Sequence, residues 1–340
     1  MKNRKKKMVK IIKISLLFLI IILLKYNFIF SNSKSFFKNN KNKIKKKLLL
    51  SKIFTSINRK INNINILFIK GKARFGNFFI SINNAIIYCE ILHCRKIIIE
   101  YNNKIYLNNP IFYKKINFTI EPNQKFNDRD KNSVILDIYF FFINSFNDWN
   151  NINRFNIFKK QLLNNLPKVV IHPNDLYIYI RSGDIFKKYK YTIKNYIQPP
   201  LCFYVKILDK FKFRKVFIIS ENKLNPTIPK ILRKYSYIRH EKNKLKLDIS
   251  FLINSYNLVS ATSTFLSIII KLNDKLKFLW KYDYYSIPPQ KYLDSHSLYR
   301  IYKMNSTTKF RNLMHPWFNS PNQRKMMIEE KCKNNFDIIR

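Results

Sequence analysis

Glycine is almost absent from this chain: its 340 residues contain three. Glycine enters left-handed backbone freely and lets another backbone approach closely, so positions that keep it in such a background carry information. The three are Gly71, Gly76 and Gly183, each just after an apolar run and close to an arginine. Cysteine is also scarce. Cys89, Cys94, Cys202 and Cys332 make no C-x-x-C pair, and four in this length are no disulfide framework. Buried free thiols are the default reading, with one pairing in an oxidising lumen as the alternative. The five histidines show no ligand spacing, and His93 beside Cys94 reads as a helix cap or core residue. Acidic residues number 19 against 65 lysines and arginines, a formal charge of +46. No zinc-finger spacing, RNA-recognition signature or heptad-linked basic region accompanies that charge. A content of 46% hydrophobic and 16% aromatic residues excludes a disordered composition.

What is abundant is Lys, Asn, Ile, Phe and Tyr together, while Ala, Val and Trp are rare. That joint bias reads as a drift in codon composition, which adds lysine wherever the surface tolerates it. The positive charge is spread along the chain and reads as a solvated lysine surface. It attracts phosphates and anionic lipids, but no nucleic-acid partner is expected.

The N-terminus reads as an address. Lys2, Arg4, Lys5, Lys6, Lys7 and Lys10 precede an apolar run from Ile14 to Leu24. With Lys13 and Lys25 snorkelling, Ile11 to Phe30 spans about 20 residues, enough to cross a membrane as a helix. We expect a signal-anchor with a cytoplasmic N-terminus and the body in the Golgi or ER lumen, a single-pass type II arrangement; a cleaved signal peptide is the alternative. Residues 1–30 are then the basic tail and anchor, and 31–63 a lysine-rich stem.

The body alternates. Ile64–Lys70 reads as a buried strand, Gly71–Asn77 as a loop, Asn77–Cys94 as a helix with apolar residues near a 3.6 period, and Lys96–Glu100 as a strand. That is a βαβ unit, whose right-handed crossover puts the glycine loop at the carboxyl edge of a sheet. From Pro167 the alternation resumes: strands at Asp175–Ile180, Lys215–Ser220 and Leu258–Ala261, and helices at Pro199–Phe211, Asn225–Tyr235, Lys246–Asn257 and Thr262–Leu272. We therefore expect an α/β fold of two facing doubly wound, Rossmann-like domains, 64–166 and 167–310, followed by a C-terminal tail, 311–340. Ligands of such folds bind in the cleft lined by carboxyl-end loops.

Three loops should reach that cleft. Gly71–Asn77 offers glycines for close approach and Arg74 as a fork for a phosphate; a tight turn with a surface arginine is the plain alternative. Arg181-Ser182-Gly183-Asp184 puts an arginine at a strand end, where it can donate two bonds to a diphosphate, or merely close a turn with Asp184. Ser260–Phe265 offers hydroxyls at a helix start, a phosphate cradle or an ordinary N-cap.

Together these loops resemble the GT-B-type fucosyltransferases and their relatives, which use GDP-sugars. Gly71–Asn77 matches a first loop of G-x-x-x-x-G-N type. Tyr179-Ile180-Arg181-Ser182-Gly183-Asp184 matches His-x-Arg-x-x-Asp, with Tyr179 in place of the His. Val216–Glu221 looks like the later strand ending in Ser and an acid, and Asp248 with Ser263-Thr264-Phe265 like the final block. Order and spacing agree over roughly residues 64–270. Phe78 replaces a Gln usual after Gly-Asn.

The resemblance implies a GT-B-like fold with the acceptor on the first domain and the nucleotide-sugar on the second. It implies inverting transfer of fucose or a related sugar to a glycan or glycoprotein hydroxyl, with a GDP-sugar as co-substrate and no metal. Arg181 and Asp184 are the expected catalytic residues. The expected donor-binding set is Arg74, Gly76, Asn77, Ser182, Gly183, Ser220, Glu221, Asp248, Ser263, Thr264 and Phe265. Asp184 and Glu221 are the candidates for a general base. Two other readings stay open: a decayed luminal sugar- or polyanion-binding protein on the same fold, and a metal-dependent GT-A transferase using Asp128 and Asp130.

Overall fold

The computed structural model describes residues 66–70, 75–79, 82, 85–86, 96–99, 111–113, 118–122, 133–137, 159–160, 162–187, 197–241, 243–283, 299–332 and 335–338. The chain divides into two compact units, Met1–Ile64 and Asn65–Arg340, and every described residue lies in the second. The expected anchor and stem lie outside the described residues. Among the described residues no helix is long and apolar enough to cross a membrane.

Two sheets organise the second unit. The first has five strands in the order β3-β4-β2-β1-β5: β1 (Ile66–Lys70), β2 (Lys96–Ile99), β3 (Ile111–Tyr113), β4 (Phe118–Pro122) and β5 (Ser133–Asp137). All neighbours pair in parallel except β3 and β4. Residues 75–79, 82 and 85–86 are helical and link the parallel strands β1 and β2, as the βαβ reading requires.

The second sheet has seven strands: β6 (Leu176–Tyr179), β7 (Val216–Ile219), β8 (Arg239–Glu241), β9 (Asn257–Ser260), β10 (Phe278–Asp283), β11 (Arg300–Asn305) and β12 (Asp337–Ile338). Their order is β12-β11-β10-β9-β6-β7-β8, parallel except for the edge strand β12. Every residue of β6 and β9 is buried, so both faces of the sheet centre are covered. The helices are α1 (Leu201–Lys210), α2 (Thr227–Lys234), α3 (Leu245–Asn254), α4 (Thr264–Leu272), α5 (Thr308–Met314) and α6 (Pro321–Glu329). Pro200 caps α1, where a missing N–H costs nothing.

The chain enters at β6, builds outward through β7 and β8, then returns to add β9, β10 and β11 on the other side. This is the 3-2-1-4-5-6 order of dinucleotide-binding sheets, and its direction reverses between β6 and β9. The crossover that leaves β6 and the one that leaves β9 diverge there, the position at which open α/β sheets form a crevice outside the carboxyl ends of their strands. The buried core of this half includes Ile178, Phe203, Ile207, Val259, Trp280 and Phe310. Residues after 310, set apart as a tail on sequence grounds, supply Met314, Trp317 and Met327 to the same core, and β12 to the sheet. The same segment is tied to α1 by a disulfide between Cys332 and Cys202. That bond replaces the default reading of free thiols for these two cysteines; Cys89 and Cys94 lie outside the described residues.

Candidate functional site

The turn after β6 is the centre of the site. Arg181 is 7% exposed, and its Nη2 lies 3.1 Å from Asp184 Oδ1. Gly183 has φ 77, a left-handed value that disfavours any side chain, and opens a 3-10 turn, Gly183–Phe186. A Cβ there would stand 1.8 Å from Glu221 Oε2, so the missing side chain is also what lets the Glu221 carboxylate lie over the turn.

Two asparagines after β7 fix this turn. Asn222 Oδ1 accepts from Ser182 Oγ at 2.6 Å, Gly183 N at 3.2 Å and Leu224 N at 3.0 Å. Asn225 donates its amide to Ser182 Oγ at 3.0 Å and its Nδ2 to Arg181 O at 2.9 Å. Ser182 is fully buried with its hydroxyl committed to this loop, so it holds the turn from beneath. Ser220 is likewise buried: its Oγ donates to Asn222 O at 2.8 Å. The same Oγ lies 2.8 Å from His240 Nε2, a hydrogen bond that ties β8 to the end of β7.

The opposite wall is the start of α4. Ser263 caps it, with Oγ accepting from Leu266 N at 3.0 Å. Tyr179 spans the crevice floor: its hydroxyl is hydrogen-bonded to Ser263, and its ring lies 5.2 Å from that of Phe265. Burial pushes that hydroxyl up to about 12, against the opposing pull of Arg181. Tyr179 is therefore a neutral strut between β6 and α4. The helical segment after β1 reaches the same place. Thr264 Oγ1 donates to Asn77 Oδ1 at 3.1 Å, and the rings of Phe75 and Phe265 are 5.4 Å apart. A Cβ on Gly76 would come within 2.6 Å of Thr264 C and Phe265 N. Gly76 thus admits the backbone of α4, where the sequence suggested the close approach of a ligand. Phe78 is buried, with its ring against Phe79.

Acids gather on the β7–β8 side. Glu221 and Asp248 both act on the Tyr179 hydroxyl, and Glu241 acts on Asp248. Asp248, in the first turn of α3, is pushed up to about 7, mainly by burial and also by Glu241, while a hydrogen bond with Asn243 pulls the other way. Its Oδ1 is buried without a partner among the described residues. The guanidinium and the α4 N-terminus thus share this region with carboxylates: Asp184 pairs with Arg181, Glu221 lies over the same turn, and Asp248 acts on the Tyr179 hydroxyl. A guanidinium beside a helix start suits an anion; the carboxylates around it suit neutral hydroxyl or N–H donors, which a carboxylate accepts. Among the described residues no three His, Cys, Asp or Glu side chains are grouped to hold a metal ion.

Of the expected residues, Gly76, Asn77, Arg181, Ser182, Gly183, Asp184, Ser220, Glu221, Asp248, Ser263, Thr264 and Phe265 are described, and they fall around the two walls just outlined. Arg74, Asp128 and Asp130 lie outside the described residues. Sequence reading missed Asn222, Asn225, His240 and Glu241. The asparagines follow a strand end and serve as turn formers, but in an Asn-rich chain nothing singles them out. Scans of the chain against protein-family models, curated proteins and solved structures find no match.

Proposed function

We propose that the protein is a glycosyltransferase that moves a sugar from a GDP-sugar, fucose or a relative, to a glycan hydroxyl with inversion and without a metal. In this reading the two α/β halves face one another in the GT-B manner. The observation that carries it is the meeting of the Arg181 turn, the α4 N-terminus and the segment bearing Asn77 at the reversal point of a nucleotide-binding strand order. In such transfer the bond between the anomeric carbon and the β-phosphate oxygen breaks, and negative charge grows on the diphosphate. Arg181 and the helix start stabilise that charge more in the transition state than before it. The carboxylates around them accept bonds from the nucleoside or sugar hydroxyls. Glu221, exposed beside Gly183, and Asp184 are the candidates for receiving the acceptor's proton.

The Cys202–Cys332 bond supports an oxidising compartment, and the basic-then-apolar N-terminal sequence supports a membrane anchor that keeps the body in the lumen. A second reading, donor binding without turnover, is favoured by Tyr179, a buried neutral strut where the resembling enzymes carry a histidine. The test is a donor-hydrolysis screen with GDP-fucose, GDP-mannose and UDP-sugars, with and without EDTA. Turnover of a GDP-sugar insensitive to EDTA is expected. Binding without turnover selects the second reading, and neither binding nor turnover refutes both.

A further inference from the structure

The 3-10 turn Gly183–Phe186 has Asp184 O satisfied locally by Lys187 N, while the end of a helical turn leaves its last carbonyls to find partners elsewhere. Its last two are claimed from far along the chain. Trp317 Nε1 donates to Ile185 O at 3.0 Å, and Arg324 Nη2 donates to Phe186 O at 2.6 Å, across 132 and 138 residues respectively. The Phe186 ring is held between them, 5.3 Å from the Trp317 ring and 5.7 Å below the Arg324 guanidinium. A cation at the carbonyl end of a helical turn is also favourable electrostatically.

The donors are themselves fixed. Arg324 Nε donates to Asn319 Oδ1 at 2.7 Å. The buried Gln323 amide is fully used: Nε2 donates to Leu313 O and Pro316 O, and Oε1 accepts from Phe318 N and Ser320 N. Ser320 and Gln323 form a reciprocal capping box at the start of α6. Beyond α6, Cys332 is bonded to Cys202 in the first turn of α1, against which α6 packs.

We propose that the segment from Trp317 to Cys332 is a clamp that positions the Arg181–Asp184 turn, with Trp317 and Arg324 as its positioning residues and the disulfide as its fastening. Each side chain acts through the carbonyl it holds. The consequence for nucleotide affinity rests on the proposed function, whereas the consequence for the turn does not.

The test uses the full chain and reads amide hydrogen exchange at Gly183 and Lys187, whose N–H groups bond Asn222 Oδ1 and Asp184 O, with Tyr235 at the end of α2 as internal reference. Trp317→Phe keeps the ring and removes the N–H; Arg324→Leu removes the guanidinium; Arg324→Lys restores one charged donor. Each of the first two should speed exchange at Gly183 and Lys187 at least tenfold (about 1.4 kcal/mol) with Tyr235 unchanged, and weaken GDP binding about tenfold. Arg324→Lys should recover part of both. The double variant Cys202→Ala, Cys332→Ala should act in the same direction, and it carries the test together with Trp317→Phe where Arg324→Leu does not fold. Unchanged exchange at Gly183 and Lys187, or acceleration in step with Tyr235, overturns the clamp. Local acceleration in a protein whose unaltered form binds no GDP supports the clamp and overturns the glycosyltransferase reading instead.

Discussion

Gly183→Ala separates two costs that the site combines at one residue. The backbone there has φ 77, where an L side chain costs about 1–2 kcal/mol. The added Cβ would also meet Glu221 Oε2 at 1.8 Å. The second cost is small, because the atom in the way is the tip of an exposed side chain that can swing aside. Gly183→Ala alone should therefore lower stability by about 1–2 kcal/mol, or about 2–4 °C in melting temperature for each kcal/mol in a unit of this size. Placing the same change in a Glu221→Ala background removes the collision and leaves the backbone cost. Thermal or urea unfolding of the four proteins of the cycle should then show most of the loss persisting without Glu221. A Gly183→Ala protein as stable as the parent, or one fully rescued by Glu221→Ala, refutes the left-handed backbone as the reason for this glycine.

Gly76→Ala differs in kind, since its Cβ would meet backbone atoms of Thr264 and Phe265 at 2.6 Å, and no side-chain deletion relieves that. We expect a loss of about 1–3 kcal/mol from overpacking, read as a lower denaturation midpoint. Tyr204 is fully buried and its hydroxyl has no partner among the described residues, so Tyr204→Phe should leave stability equal or raise it by about 1 kcal/mol. Asp248 has its folded pKa raised from 3.8 to about 7, so the folded protein holds a proton that the unfolded chain releases. Its contribution to stability is present in full below pH 3.8 and is lost as pH rises toward about 7. Asp248→Asn should accordingly stabilise the protein at pH 8, by about 1 kcal/mol after allowing for the solvent that reaches this half-buried group, and have little effect at pH 4. The reverse pH trend refutes burial as the cause.

The elements around the crevice were legible because their periodicity and their breaks coincide. The strands at Leu176–Tyr179, Val216–Ile219 and Asn257–Ser260 are apolar runs ending in polar turns, and prolines open α1. The strand Arg239–Glu241 was not legible: it is a three-residue edge whose pattern is charged, and only its pairing with β7 makes it a strand. The strands Phe278–Asp283 and Arg300–Asn305 were missed because lysine and arginine interrupt their apolar residues; Lys281 and Lys303 sit in a sheet that pairs them face to face. The site showed the same limit. Arg181, Gly183 and Ser263 could be found from residue types at strand and helix ends. The supports, Asn222, Asn225, Trp317 and Arg324, act on the site by hydrogen bonds to backbone or to a neighbouring hydroxyl, and no local spacing encodes those. Gly76 was found, but its reason was not, because the backbone it admits lies 188 residues away in α4.

The central claim is that Arg181 and the start of α4 grip the diphosphate of a nucleotide donor. Calorimetric titration of GDP into the parent protein and into Arg181→Ala tests it most directly. The account predicts binding by the parent and a loss of about 100-fold in the variant, with the melting temperature of the nucleotide-free protein still showing a folded chain. Equal affinity of a folded Arg181→Ala protein for GDP would contradict it.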